Sequence, residues 1–151
     1  MSKYILIMGL VLLNSCTQSN DIFHKALSKL RDAERVEYIT LRAFPEDEAQ
    51  NYFYTWEELQ RTQIKKVDLE ILLNDLREAY ENGKSLESTP LCFDPRHVLR
   101  VDAKEKVEIL ICFSCDKIKI HLGDDSSMRR IRAERTIFDK IAKKYNLELD
   151  E

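Results

Sequence analysis

Glycine is scarce in this chain, with three residues in 151, and one of them, Gly9, sits inside an apolar N-terminal run. A glycine-rich loop that cradles phosphates has no material to be built from, which excludes a nucleotide site of that type. Basic residues do not exceed acidic ones: 24 Lys and Arg stand against 27 Asp and Glu, so nucleic acid is not an expected partner. Nothing in the sequence has the pattern of a Ser-His-Asp hydrolase or of a paired-carboxylate glycosidase. Internal repeats and low-complexity tracts are absent as well. The N-terminal apolar run, Tyr4 to Leu13, falls well short of the roughly 20 residues that a membrane-spanning helix needs.

That run has instead the layout of a secretion signal. Lys3 supplies the positive start, Tyr4 to Leu13 the apolar core, and Leu13-Asn14-Ser15-Cys16 resembles the lipobox of bacterial lipoproteins. There an apolar residue and a small residue lead to the cysteine that takes the lipid. Asn14 is a less usual occupant of the middle position, and simple secretion is the alternative. The expected organisation is a cleaved lipoprotein signal peptide over 1–15, lipidated Cys16 with a short polar tether over 16–20, and one domain over 21–151. The expected address is the cell envelope, lipid-anchored and facing the periplasm; Thr17 in place of aspartate resembles the sorting pattern by which enteric lipoproteins reach the outer membrane, which implies that membrane. Loss of residues 1–15 removes Lys3 and no acid, leaving 136 residues with 23 basic against 27 acidic, a net charge of −4. That length is one domain. The full chain has 44% apolar and 34% charged residues, a balance that implies a folded and well-solvated domain rather than a disordered chain.

Periodicity gives the elements. Ile22, Phe23, Ala26, Leu27 and Leu30 predict an amphipathic helix over 21–33. The β-branched and aromatic run from Val36 to Phe44 predicts a strand ended by Pro45. Tyr52, Phe53, Tyr54 and Trp56 crowd together and are expected to cover an edge of the core, with an aromatic binding surface as the alternative. A strand is expected around 59–65. Asp68 as cap, a Val67–Leu72 staple, Leu69, Leu72, Leu73, Leu76 and Tyr80 at helical spacing and a left-handed Gly83 predict a helix over 69–82. Three short β-rich runs at 97–102, 107–113 and 117–122 predict an antiparallel meander. Gly123-Asp-Asp-Ser-Ser is expected to close it, before a final helix marked by Ile137, Phe138, Ile141, Ala142 and Tyr145 that ends near Asn146. The fold class is α+β, an antiparallel β-meander with helices packed on one face.

One constellation carries chemistry. Cys92, Cys112 and Cys115 lie around the meander with His97. A turn at Ala103-Lys104-Glu105-Lys106 pairs Asp102 with Val107 and thereby His97 with Cys112, which would let all four side chains converge at one end of the hairpin; a slip of one residue would send His97 to the other face. Four readings compete. In an oxidising envelope a disulfide is expected, Cys92 with Cys112 or Cys115, tying the loop to the hairpin. The others are a three-cysteine, one-histidine zinc site, a redox pair at Cys112-Phe-Ser-Cys115, and buried unpaired thiols. Arg96 and His97 could clamp an anion and act as base or ligand; the expectation is that Arg96 pairs with an acid and His97 is a hydrogen-bonded core residue. Four arginines between Met128 and Arg135 read as a solvated segment, with an anionic surface as the alternative partner.

Cys92-Phe-Asp-Pro-Arg-His97 followed by Ile111-Cys-Phe-Ser-Cys115 also resembles the paired signature of a family of small, uncharacterised secreted or lipid-anchored bacterial proteins. In that family Cys-Phe/Tyr-x-Pro-Arg-His precedes a strand ending Ile-Cys-Phe-x-Cys. The likeness centres on 92–115, and here the intervening turn lacks the glycine expected of it. The resemblance implies an architecture and a candidate site, and no reaction. Together these readings lead to a non-enzymatic binding or structural domain, with no catalytic residue assigned and no cofactor expected, zinc being the alternative. The expected partners are the membrane through the lipid, and an envelope protein or a small ligand.

Overall fold

The computed structural model describes residues 22–42, 52–53, 56–83 and 93–150, the side chains of 52–53 excepted. Cys16, Tyr54, Cys92 and the expected signal and tether lie outside the described residues. The chain order is helix α1 over 22–32, strands β1 (Glu37–Leu41), β2 (Tyr52–Phe53) and β3 (Trp56–Gln63), helix α2 (Lys66–Glu81), strands β4 (His97–Val101), β5 (Val107–Cys112), β6 (Lys117–Leu122) and β7 (Asp125–Arg130), and helix α3 (Arg135–Lys144). The strands form a sheet in the order β2-β3-β1-β4-β5-β6-β7, with every neighbouring pair antiparallel. This is the α+β fold that the periodicities imply.

The strands alternate, and their two faces do different work. Tyr38, Leu99, Val101, Val107, Ile109, Ile111, Ile118, Ile120 and Leu122 line one face and share a buried core with Phe23, Leu27 and Leu30 of α1, Leu69, Leu72, Leu73 and Leu76 of α2, and Phe138 and Ile141 of α3. Burial of a side chain of this kind contributes about 1.5–3 kcal/mol. Helices α1 and α2 run antiparallel: Phe23 stacks on Tyr80 with ring centroids 3.6 Å apart, while Arg31 at the other end of α1 donates to Glu70 at 3.1 Å. The Arg129 guanidinium also lies over the Tyr80 ring, at 4.1 Å. On the opposite face, Ile39, Leu41, Val98 and Leu110 form a smaller cluster against which Trp56 and Phe93 pack, their rings edge to face at 5.9 Å. Trp56 thus covers apolar surface; the side chains of its aromatic neighbours lie outside the described residues.

Several local expectations are corrected. The β4–β5 hairpin pairs Val101 with Val107, Leu99 with Ile109 and His97 with Ile111, one residue away from the expected register. The reason is the pattern itself. This register puts Leu99 and Val101 on the face of Ile109 and Val107, and sets Arg100 opposite Glu108 on the other face, whereas pairing Asp102 with Val107 would have mixed charge into the core. The cost is a longer loop, residues 102–106, all exposed.

Helix α2 begins earlier than expected. Its N-cap is Lys65, which makes no side-chain cap hydrogen bond. Asp68 lies inside the first turn, where its carboxylate accepts from Lys144 Nζ at 2.7 and 2.9 Å and from the Tyr145 hydroxyl at 2.7 Å. The Lys144 ammonium at the end of α3 and the Tyr145 hydroxyl just beyond it take the carboxylate in place of a capping role. Val67 is 64% exposed, so the expected staple does not form. Gly83 is not left-handed; glycine is needed there because a Cβ would stand 2.2 Å from the Arg130 carbonyl oxygen. The left-handed glycine is Gly123, φ +58, in the two-residue turn between Leu122 and Asp125. Beyond it the residues expected as a closing loop form β7. Helix α3 ends as expected: Asn146 has φ 54, its amide donates to the Lys143 carbonyl at 3.0 Å and the Leu147 amide to that of Ala142 at 2.9 Å, a paired arrangement that satisfies the last carbonyls.

Candidate functional site

His97 opens β4 and, in the observed register, points among the helices. It is 1% exposed. Its Nδ1 lies 2.7 Å from the Tyr38 hydroxyl, and its ring packs against Phe113 and Phe138 at centroid distances of 5.3 and 5.7 Å. Its Nε2 faces Asp139 Oδ1 at 3.6 Å, and Asp139 Oδ2 is 3.3 Å from Arg135 Nε, one turn earlier on α3. Burial, then the Arg135 and Arg96 charges, push the imidazole down to a pKa of about 3. It is therefore neutral at physiological pH, and its contact with Asp139 is not an ion pair.

The tautomer follows from counting protons. The Tyr38 hydroxyl has one to give and two acceptors near it, His97 Nδ1 and the Phe138 carbonyl at 3.2 Å. The carbonyl is within an α-helix and has its own backbone donor, whereas Asp139 Oδ1 is buried and without a hydrogen bond. Tyr38 donating to Nδ1 leaves the proton on Nε2, facing that oxygen. Burial and the nearby Asp139 carboxylate hold the Tyr38 hydroxyl protonated, well above its ordinary pKa. Tyr38, His97, Asp139 and Arg135 thus form a chain that ties β1 and β4 to α3. Tyr38 and Asp139 were missed by sequence reasoning: they lie far from His97 in the chain, and only the strand alternation at Tyr38 hinted at an inward side chain.

Cys112 leaves β5 on the opposite face from Ile111, and so opposite from His97. The two side chains cannot be ligands of one ion, which corrects the expected pairing of His97 with Cys112; Cys92 lies outside the described residues. Among the described residues, no group of three or more His, Cys, Asp or Glu side chains could hold a metal. Cys112 is fully buried, and burial, followed by a hydrogen bond with the Cys115 thiol, raises its pKa. The Ser114 hydroxyl is 3.3 Å from Cys112 Sγ and 3.8 Å from Cys115 Sγ, and the backbone amides of Asp94 and Cys115 also donate to the Cys112 sulfur. The turn is held by Asp116, which adopts φ 53. Cys112 and Cys115 are not bonded to each other.

Arg96 is paired with Asp94 at 3.3 Å and with Asp150 at 3.1 Å. Of the arginine run, Arg129 donates to the Gly83 carbonyl at 3.1 Å and Arg135 holds Asp139, while Arg130 and Arg132 are exposed. On the outer face Lys117 and Glu108 are buried, at 2% and 0% exposure, and Lys106 Nζ reaches Glu108 at 2.6 Å. His121, half-buried beside them, has its pKa lowered by burial and by Lys119. At the far end of the hairpin from His97, an open groove of about 620 Å³ runs between Lys29, Asp32 and Ala33 and the β4–β5 loop, bridged by an ion pair of Lys29 with Glu105.

Comparison of the chain with protein-family models, curated proteins and solved structures gives no match. The likeness around 92–115 rests on its motif alone.

Proposed function

We propose that this chain is a bacterial cell-envelope lipoprotein whose single domain, held near a membrane by an acylated Cys16, serves as a non-enzymatic binding or structural module for an envelope protein or a small ligand. The observation that carries the address is the arrangement of Lys3, the apolar Tyr4–Leu13 and the Leu13-Asn14-Ser15-Cys16 ending. The short segment between Cys16 and Ile22 limits how far the domain can stand from the lipid, to about 20 Å for a fully extended chain. A non-enzymatic role is supported by what the Pro-Arg-His turn is used for: Arg96 is held by two carboxylates and His97 is neutral and sealed within the core. A general base needs access to a substrate proton and a pKa near the working pH. Of the alternatives, a thiol-dependent role draws support from the Ser114 hydroxyl that reaches both Cys112 and Cys115, at 3.3 and 3.8 Å.

Metabolic labelling with a fatty acid, combined with fractionation, tests the reading. The expected result is a labelled, membrane-associated protein shortened by residues 1–15, with label and membrane association both lost in C16A. An unlabelled protein that keeps Met1–Ser15 and stays in the cell interior would overturn it.

A further inference from the structure

We infer that Cys112 and Cys115 form a thiol–disulfide site, closing a bond across the β5–β6 turn when they meet a small-molecule disulfide. The sequence leads to an expected bridge from Cys92 to Cys112 or Cys115; Cys92 lies outside the described residues, and within them the two turn cysteines share one neighbour. The Ser114 hydroxyl reaches both sulfurs, 3.3 Å from Cys112 Sγ and 3.8 Å from Cys115 Sγ. The turn is anchored on both sides: Cys112 is paired with Lys117 at the end of the β5–β6 ladder, the Asp116 amide donates to the Phe113 carbonyl at 3.4 Å, and the Ile131 amide to the Asp116 carbonyl at 2.8 Å. The anchored turn fixes where the two cysteines stand, three residues apart, and the bond is to be closed by rotation of their side chains.

The two sulfurs differ in the way such a site needs. Cys115 is partly exposed, at the turn, and meets the oxidant. Cys112 is fully buried and its thiol is pushed up by that burial, so it waits as the resolving thiol. In the first step the Cys115 thiolate attacks one sulfur of the small-molecule disulfide, forming a mixed disulfide and releasing one small thiol. The Cys112 sulfur then loses its proton to solvent and attacks the Cys115 sulfur, forming the Cys112–Cys115 bond and releasing the second small thiol. Two protein thiols are oxidised and one small disulfide is reduced to two thiols. The inference deepens the thiol-dependent alternative. It is tested on purified protein, so its failure leaves the envelope address standing, and failure of the address leaves it standing too.

The test is a peptide map of the full chain after incubation with excess oxidised glutathione and alkylation of the remaining thiols. Trypsin leaves Cys112 and Cys115 together in Val107–Lys117 and puts Cys92 in Ser85–Arg96, so the two kinds of bridge separate by mass. The expected result is an unalkylated Val107–Lys117 peptide lighter by two hydrogens, in the natural chain and equally in C92S. In addition, Cys115 in C112S should react with a maleimide about tenfold or more faster than Cys112 in C115S, as exposure dictates. A bridge between the Cys92 peptide and Val107–Lys117, a glutathione adduct that persists on Cys115 in folded C92S, or full alkylation of both turn cysteines after the incubation would each overturn the inference.

Discussion

The two faces of the β4–β5 hairpin solve the same problem with opposite means. On the helix face His97 is fixed from all sides by aromatic rings, a tyrosine hydroxyl and a carboxylate, and it links the sheet to α3. On the outer face Cys112 sits one residue beyond His97's cross-strand partner Ile111, buried but bounded by a turn whose other cysteine is partly exposed. Ile111 and Cys112, adjacent on β5, are thus turned to opposite faces by strand alternation, one beside His97 and the other at the turn that carries Cys115. The lesson is that a histidine and a cysteine close in sequence register need not share a site; a shift of one residue in pairing decides it.

Substitution at His97 should separate the faces most strongly. H97A removes a buried ring and a link to Tyr38, and we expect a loss of about 3 kcal/mol or more in urea unfolding. The pH dependence sharpens the same point. A histidine near pKa 3 when folded and about 6.5 when unfolded binds its proton more tightly in the unfolded state, so stability falls as pH drops below about 6.5 and the loss continues towards pH 3. The limiting slope is about 1.4 kcal/mol per pH unit, and it should be absent in H97L. Asp68 acts in a lower window: Lys144 and then Tyr145 depress its pKa, so its contribution is complete above about pH 4 and is lost as pH falls through the lowered folded value. D68A should cost about 2 kcal/mol at neutral pH, by leaving the contacts between α2 and α3 without their acceptor; Lys144 is too exposed for a larger share. On the outer face C112A removes one small buried side chain and should cost about 1 kcal/mol by the same unfolding measurement. V67S, at a residue 64% exposed, should change stability by less than about 0.5 kcal/mol. If C112A proved as costly as H97A, the division of labour between the faces would be wrong.

Much of the fold could be read from the chain because its helices and the three middle strands are periodic. Leu69, Leu72, Leu73 and Leu76 all face the core, and Val107, Ile109 and Ile111 join them from every second position of β5. Strand β7 was not legible: Gly123-Asp-Asp-Ser-Ser has turn chemistry, and an edge strand whose residues are exposed or half-exposed leaves no apolar alternation to find. The start of α2 was misplaced for a related reason. Asp68 has the composition of a cap, yet its partners, Lys144 and Tyr145, come from the last turn of α3 and its end, and no local pattern announces a contact of that range. Of the candidate site, Cys112, Cys115, Arg96 and His97 were identifiable as residue types in a cluster, but which of them touch depended on the hairpin register. A four-residue loop fits the turn sequence; matching Val101 to Val107 and Arg100 to Glu108 outweighs it. Cys92 lies outside the described residues.

The central claim is that His97 is a neutral core residue on the opposite face from Cys112, and a nitrogen-detected NMR titration of its imidazole tests that most directly. The account predicts a proton on Nε2, none on Nδ1, and ring shifts that hold steady from about pH 8 to about pH 4 in the folded protein. A midpoint near 6.5, or ring shifts that move on addition of zinc, would contradict it.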